Sequence, residues 1–275
     1  MCVSMAPAEF NGAIAFGGEV TSDLHLLGYQ NSSRSFVGAN CMLLHVPTRV
    51  LTEQSLVPTW GTPNFMKDMG KTVGSLTSLS RGGGTMGMQF RSTPIVVQYG
   101  NYEIVLASSA SDIPDALERV SAAKRPMINR DLLSWYDRNF DGYSFILACF
   151  NNADEKPNHP ILVRYQPTDS THLFVPGLES HDGRPPIIGS REHPRDFKVV
   201  FGSRLATPNA SLNSVRYTDE LGALATLLPQ QVVGFRDEGE GANADYKVSV
   251  DHVRQGMNHF NLFATMSAHA DGLIW

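Results

Sequence analysis

The chain has 275 residues, of which 42% are hydrophobic and 18% charged, and its formal net charge is -5. A chain this long can bury roughly three quarters of its unfolded surface. No apolar run approaches the ~18 residues of a membrane-spanning helix, and an acidic balance without a basic tract argues against nucleic-acid binding through phosphate neutralisation. The charged fraction is below the usual ~25%, and 24 Gly and 16 Pro are spread through the chain, which favours short strands and turns over long helices.

Residues 1 to 47 read as strands closed by turn residues: Ala13–Phe16 ending at Gly17, Leu24–Tyr29 ending at Asn31, and Cys41–Val46 ending at Pro47. Val3–Met5 adds a short strand at the start. Thr62 with Pro63 predicts a helix over 63–72, weakened by Gly70. The glycine-rich run Ser80–Met88 reads as a loop and lacks the spacing of a phosphate-cradling motif. A hairpin follows, Ile95–Tyr99 with Tyr102–Leu106 about a Gly100-Asn101 turn.

Two helices come next, over 112–123, capped by Ser111 or Asp112, and over 130–139, capped by Asn129. Strands are expected at Tyr143–Phe150, Pro160–Tyr165, His172–Val175 and Phe197–Phe201. A helix at 219–228 is stopped by Pro229, and Val232–Phe235 and Tyr246–Val250 read as strands around an acidic loop. Phe260–Phe263 is a further apolar stretch, and the tail from about 256 to 275 is expected to dock on the body or on a neighbouring subunit. The prediction is one α/β domain of α+β type over 1–275, mainly antiparallel sheet or two stacked sheets with three to four short helices.

Cys2, Cys41 and Cys149 are too scattered for a disulfide framework or a zinc site, and the N-terminus has no Lys or Arg ahead of an apolar run, unlike a signal peptide. A cytoplasmic location is expected, with no metal and no cofactor. If Met1 is trimmed, Cys2 carries both a thiol and a free amine that can act as its base, the logic of N-terminal nucleophile hydrolases. The surrounding pattern departs from their cysteine amidase branch, because Ser4 and Glu19 occupy the early region and the first arginine is Arg34.

The run GLESHDGRPP gathers Glu179, His181, Asp182 and Arg184 on one loop held by Gly and Pro. His181 beside Asp182 has the makings of an oriented base, and Glu179 and Arg184 those of ligand-binding groups. The plainer reading makes Asp182-Gly183 a turn, Pro185-Pro186 a rigid exit and His181 a hydrogen-bonding strut. Asn31 or Asn40 could polarise a carbonyl. HExxH, GxSxG and post-strand GxGxxG patterns are absent from the sequence.

The strings MCVSMAP, HLLGYQN, GANCMLLHVPT, YEIVLASSASDIPDALERV, LFVPGLESHDGRPP and VVFGS, with the stretch AAKRPMINRDLLSWYDRNFDGYSFILACFNN, resemble an uncharacterised family of bacterial hypothetical proteins over roughly residues 1 to 235. The resemblance implies a free-standing cytoplasmic domain whose Met-Cys start belongs to the fold, and it carries no known activity. Two functional readings follow from the residues. One is a binding or self-assembling protein that forms homo-oligomers through exposed strands and apolar side chains, with room for a small-molecule ligand. The other is a hydrolase or amidase in which Cys2 attacks and its amine, or His181 held by Asp182, moves the proton.

Overall fold

The computed structural model describes residues 2–75, 92–152, 159–191, 195–208, 211–239 and 241–256. The expectations for Ser80–Met88, Phe260–Phe263 and the tail beyond 256 lie outside these residues. The strands, in chain order, are β1 (Cys2–Ser4), β2 (Ala8–Thr21), β3 (Leu24–Ser35), β4 (Asn40–Val46), β5 (Gly74–Ser75), β6 (Ile95–Tyr99), β7 (Tyr102–Ala107) and β8 (Ser144–Phe150). They continue with β9 (Ile161–Tyr165), β10 (His172–Val175), β11 (Glu179–Ser180), β12 (Arg195–Ser203), β13 (Asn213–Ser214), β14 (Gln231–Gly239) and β15 (Tyr246–Ser249). The helices are α1 (Phe65–Lys71), α2 (Ile113–Leu117), α3 (Arg130–Asn139) and α4 (Val250–Arg254).

Two sheets carry the fold. One has six strands in the order β11-β1-β4-β8-β7-β6, and the other has seven, running β13-β14-β12-β2-β3-β9 with β5 beside β14. Pairing is mostly antiparallel, as expected from the turn-rich connections. The exceptions are β12 on β2, β14 on β5, and β1 on β11. A third, two-stranded ladder joins β10 to β15 and sends Leu173, Val175, Tyr246 and Val248 into the interior between the two large sheets.

Both faces of each large sheet are covered, which explains the near-continuous apolar strands. In β4, Met42, Leu44 and Val46 face the interior along with Leu27, Ile146, Phe197 and Val233. Cys41 and Leu43 point the other way, into a layer with Phe145, Leu147 and the helical residues Ile113, Leu117, Leu132 and Tyr136. The outer face of the seven-stranded sheet places Ile14, Phe16, Leu26 and Val200 under Phe65, Met66 and Met69 of α1. The result is four layers, helix–sheet–sheet–helix. Each fully buried Leu or Phe contributes about 1.5–3 kcal/mol relative to exposure.

Helix ends follow local chemistry. The Asn129 side chain accepts from Leu132 N at 3.1 Å, so α3 starts where the cap predicts. The expected helix over 112–123 is shorter: α2 starts after Asp112, one of the two expected caps, whose side chain makes no capping bond, and ends at Leu117, while Ser109 caps the 3-10 turn Ala110–Asp112 that precedes it. The helix over 63–72 begins at Phe65, two residues after Pro63. The helix expected at 219–228 is a 3-10 segment, Gly222–Thr226. The strand from Tyr246 stops at Ser249, because Val250 already opens α4.

His25 marks where this interior is least tolerant. It is fully buried opposite Tyr165, and neither ring nitrogen has a hydrogen-bond partner among the described residues. Burial holds its pKa below the usual 6.5, against the raising influence of Glu19 and Asp169 and with a further lowering from Arg254. Above that value the ring is neutral in both folded and unfolded chains, so it contributes no pH dependence. As pH falls through it, the unfolded chain takes up a proton that the folded one resists, and stability declines by up to about 1.4 kcal/mol per pH unit. Unfolding by urea near pH 5 should therefore find His25→Phe closer to, or above, the wild type, and the advantage should shrink near pH 7.5.

Candidate functional site

The register of one short ladder builds the site. Val175 pairs with Tyr246, so the chain leaving β10 runs beside the chain entering β15. Residues 177–179 then lie against 243–245, where side chains complete what backbone pairing begins. The Asp245 carboxylate accepts from Gly177 N at 2.7 Å and Leu178 N at 3.2 Å, and its other oxygen meets His45 Nε2 at 2.7 Å. Asn243 accepts from Glu179 N at 2.8 Å and donates to Glu179 O at 2.9 Å, imitating a neighbouring strand. Gly177 is required here: a Cβ would stand 2.2 Å from Ala244 O.

Beneath this segment lies a buried charged cluster. Arg195 meets Asp237 at 3.0 Å, donates to Gly177 O at 2.9 Å and to Ala242 O, and stacks 4.7 Å over the Phe197 ring. Tyr246 donates to Asp237 as well. Every charge in the cluster is paired, the condition under which buried ions persist.

Held in this way, β11 pairs in parallel with β1, Cys2 opposite Glu179 and Val3 opposite Ser180. The first strand and the polar hairpin therefore share one edge of the six-stranded sheet. A pocket of about 320 Å³ opens beside it, with Glu179, Asp182, Arg184, Pro186, Ile187 and Asn243 among its walls. The pocket is polar, and its walls carry two carboxylates together with the Arg184 guanidinium that pairs with one of them. Burial acts to raise the Glu179 carboxyl, but nearby positive charge including Arg195 holds it below the usual range. Asp182 is likewise held low by donation from Arg184 and Ser180, against the effect of burial.

The candidate residues have distinct surroundings. Cys2 is 2% exposed and lies in the interior cluster with Tyr29, and burial pushes its thiol up to about 12. A thiol so placed is protonated at neutral pH and is a poor nucleophile. Asp182 accepts from Arg184 N at 2.9 Å, Arg184 Nε at 2.6 Å and Ser180 Oγ at 3.1 Å, and His181 is not among its partners. The His181 ring packs edge-on to Phe10 at 5.0 Å, and its carbonyl accepts from Ala8 N at 2.8 Å. Gly183, at φ 84°, makes the turn against Met5 O. Asn40 is fully buried, donating to Ala6 O at 2.9 Å and accepting from Cys41 N. Asn31 donates to Tyr29 Oη at 3.1 Å.

Sequence reading found the hairpin and the first strand and missed their supports, Asn243, Asp245, Arg195 and His45. The acidic loop before β15 was visible, but its partnership with residues some 65 positions earlier left no local signal. Among the described residues, no three His, Cys, Asp or Glu side chains converge as a metal site, and no helix is long and apolar enough to cross a membrane.

The state of Cys2 can be checked directly. Its rise from 9.0 to about 12 reduces the thiolate by roughly a thousandfold, so native protein at neutral pH should label at Cys2 far more slowly than protein in concentrated urea. Mass spectrometry of the N-terminal peptide reads this out, and equal rates would contradict the buried placement.

No family model and no curated protein sequence matches the chain. Among solved structures it is similar to baculovirus P35, with a TM-score of 0.50 and 9% identity over 90% of this chain and 99% of that one. A mutated baculovirus P35 after caspase cleavage matches over 88% of this chain and 98% of that one, with a TM-score of 0.45 and 9% identity. At this identity the likeness is one of fold.

Proposed function

We propose that this chain is a binding protein that acts by stoichiometric contact, and that its partner is a protease of the caspase class. The observation that carries the reading is the fold shared with baculovirus P35 over nearly the whole of both chains. P35 is itself a caspase inhibitor. The placement of Cys2 supports contact over turnover, since a core thiol with a pKa pushed up to about 12 does not serve as a hydrolase nucleophile in this conformation. The β1–β11 edge, with its side-chain supports, supplies the rigid body such a protein needs. The buried, unbonded thiols Cys41 and Cys149, which face each other across β4 and β8, suit a reducing, cytoplasmic setting.

Titrating a panel of caspases with the intact chain tests this. One member should lose activity near a one-to-one ratio, with the chain cut at one mapped position or held uncut in a complex. Full activity of every member at a tenfold excess overturns the reading. A homo-oligomer is a second reading, favoured by the edge strand β6, whose Ile95, Val96 and Val97 are only partly covered, and by exposed Phe36, Trp60 and Met127. Light scattering across a dilution series checks it, and a monomer at micromolar concentration rules it out.

A further inference from the structure

His25 belongs to a row of side chains that crosses four strands of the seven-stranded sheet. The register sets Ser203 of β12 beside Glu19 of β2, Glu19 opposite His25 of β3, and His25 opposite Tyr165 of β9. Directly opposed residues of an antiparallel pair share a face, with Cβ atoms about 4.5–5.5 Å apart. A carboxylate and an imidazole are therefore neighbours in the interior. The Glu19 side chain is 0% exposed and accepts from Ser203 Oγ at 2.5 Å and from Arg254 Nε at 2.9 Å, with a second bond from the same guanidinium. His25 has no hydrogen-bond partner at either ring nitrogen among the described residues.

Arg254 closes α4, a helix of five residues that is too short to persist in water by itself. Val250 and Val253 bury their side chains, Val250 N donates to Thr171 O at 2.9 Å, and Arg254 supplies the ion pair to Glu19. The Arg254 side chain is 33% exposed, so water can solvate it once it leaves Glu19.

The charged and titratable groups around His25 come from four elements. Glu19 lies on β2, and α4 carries Arg254, His252 and Asp251, the last 3.6 Å from the Arg254 guanidinium. Tyr165 of β9 meets the ring edge-on at 6.1 Å and is kept protonated by burial. Asp169, in the turn before β10, is held by Thr171 and His172. Burial lowers the His25 pKa, Glu19 and Asp169 act to raise it, and Arg254 acts to lower it.

We propose that Glu19, His25 and Arg254 form an acid-triggered switch, in which His25 replaces Arg254 as the counter-charge of Glu19 and α4 leaves the sheet. At neutral pH Arg254 holds Glu19 and the ring is uncharged. In acid the ring takes one proton from solvent, the imidazolium pairs with Glu19, and the guanidinium passes into water with its helix. Linkage gives the sign. Once Arg254 has gone, Glu19 pulls the His25 pKa upward unopposed, so the opened form holds the proton more tightly and gains on the closed form as pH falls. The gain is limited to about tenfold per pH unit, the slope for one proton. The switch is independent of the protease reading, since no step in it involves a partner.

Amide hydrogen exchange of the full chain, read by mass spectrometry at pH 7.5 and pH 5 and corrected for the intrinsic rate at each pH, tests this. Protection of residues 250–256 should fall by roughly tenfold or more while that of β4 and β8 holds. His25→Phe should abolish the fall, and Arg254→Gln should bring it on already at pH 7.5. Circular dichroism shows whether each variant is folded, and if Arg254→Gln is not, the His25→Phe comparison decides alone. The proposal is overturned if α4 is equally protected at both pH values, if His25→Phe keeps the fall, if a folded Arg254→Gln matches the wild type at pH 7.5, or if α4 and the central strands lose protection together.

Discussion

Replacing Arg195 with methionine is expected to lower the unfolding free energy by about 3–5 kcal/mol, the range for removing one partner of a buried ion pair. The Arg195 side chain is 2% exposed and holds Asp237, Gly177 O and Ala242 O together, so its loss leaves two carbonyls without their donor and a buried carboxylate, still bonded to Tyr246, without its counter-charge. Apolar packing of the methionine against Phe197 and Tyr246 recovers only part of this. Adding Asp237→Leu to the same chain removes the stranded charge and should restore a good share of the loss. Urea unfolding of the two single variants and the double variant gives the coupling. An additive cycle would mean that the pair is not energetically joined.

Asp245→Ala should be nearly as damaging, by roughly 3–5 kcal/mol, because one carboxylate serves three donors. Gly177 N, Leu178 N and His45 Nε2 all lose their acceptor, and His45 sits among Phe140, Tyr143 and Phe174, where water cannot easily replace it. The effect has a local signature. Residues 177–180 are the partners of β1, so amide hydrogen exchange should rise at both segments well before the rest of the sheet. Asp245→Asn keeps one acceptor and should fall between wild type and alanine. Unchanged exchange at β1 in the alanine variant would show that the first strand does not depend on this clamp.

Much of the fold was legible in the sequence because local pattern and tertiary role agreed. The hairpin Ile95–Tyr99 with Tyr102–Ala107 turns at Gly100, whose φ of 57° suits glycine, and β10 and α3 lie where their residues and caps place them. The two-residue strands β5, β11 and β13 left no trace, since so short a run carries no periodicity and exists only because a neighbour supplies hydrogen bonds. The 3-10 segment at Gly222–Thr226 shows the same limit, as an apolar pattern alone does not distinguish one helix type from another.

By itself the sequence determined the class: many short strands with turn residues between them, few charges, capped helices and one crowded polar loop at Gly177–Pro186. It also brought forward the two segments that the sheet later joins, the Met-Cys start and that loop. Only the tertiary structure decided what surrounds them. It turned the Cys2 side chain into the interior, gave Asp182 to Arg184 in place of His181, and called on Asn243 and Asp245 to finish a strand begun far upstream. The physical reason is that a side chain's reactivity depends on its solvent exposure and its partners. Both are set by packing between residues distant in the chain, which no local spacing records.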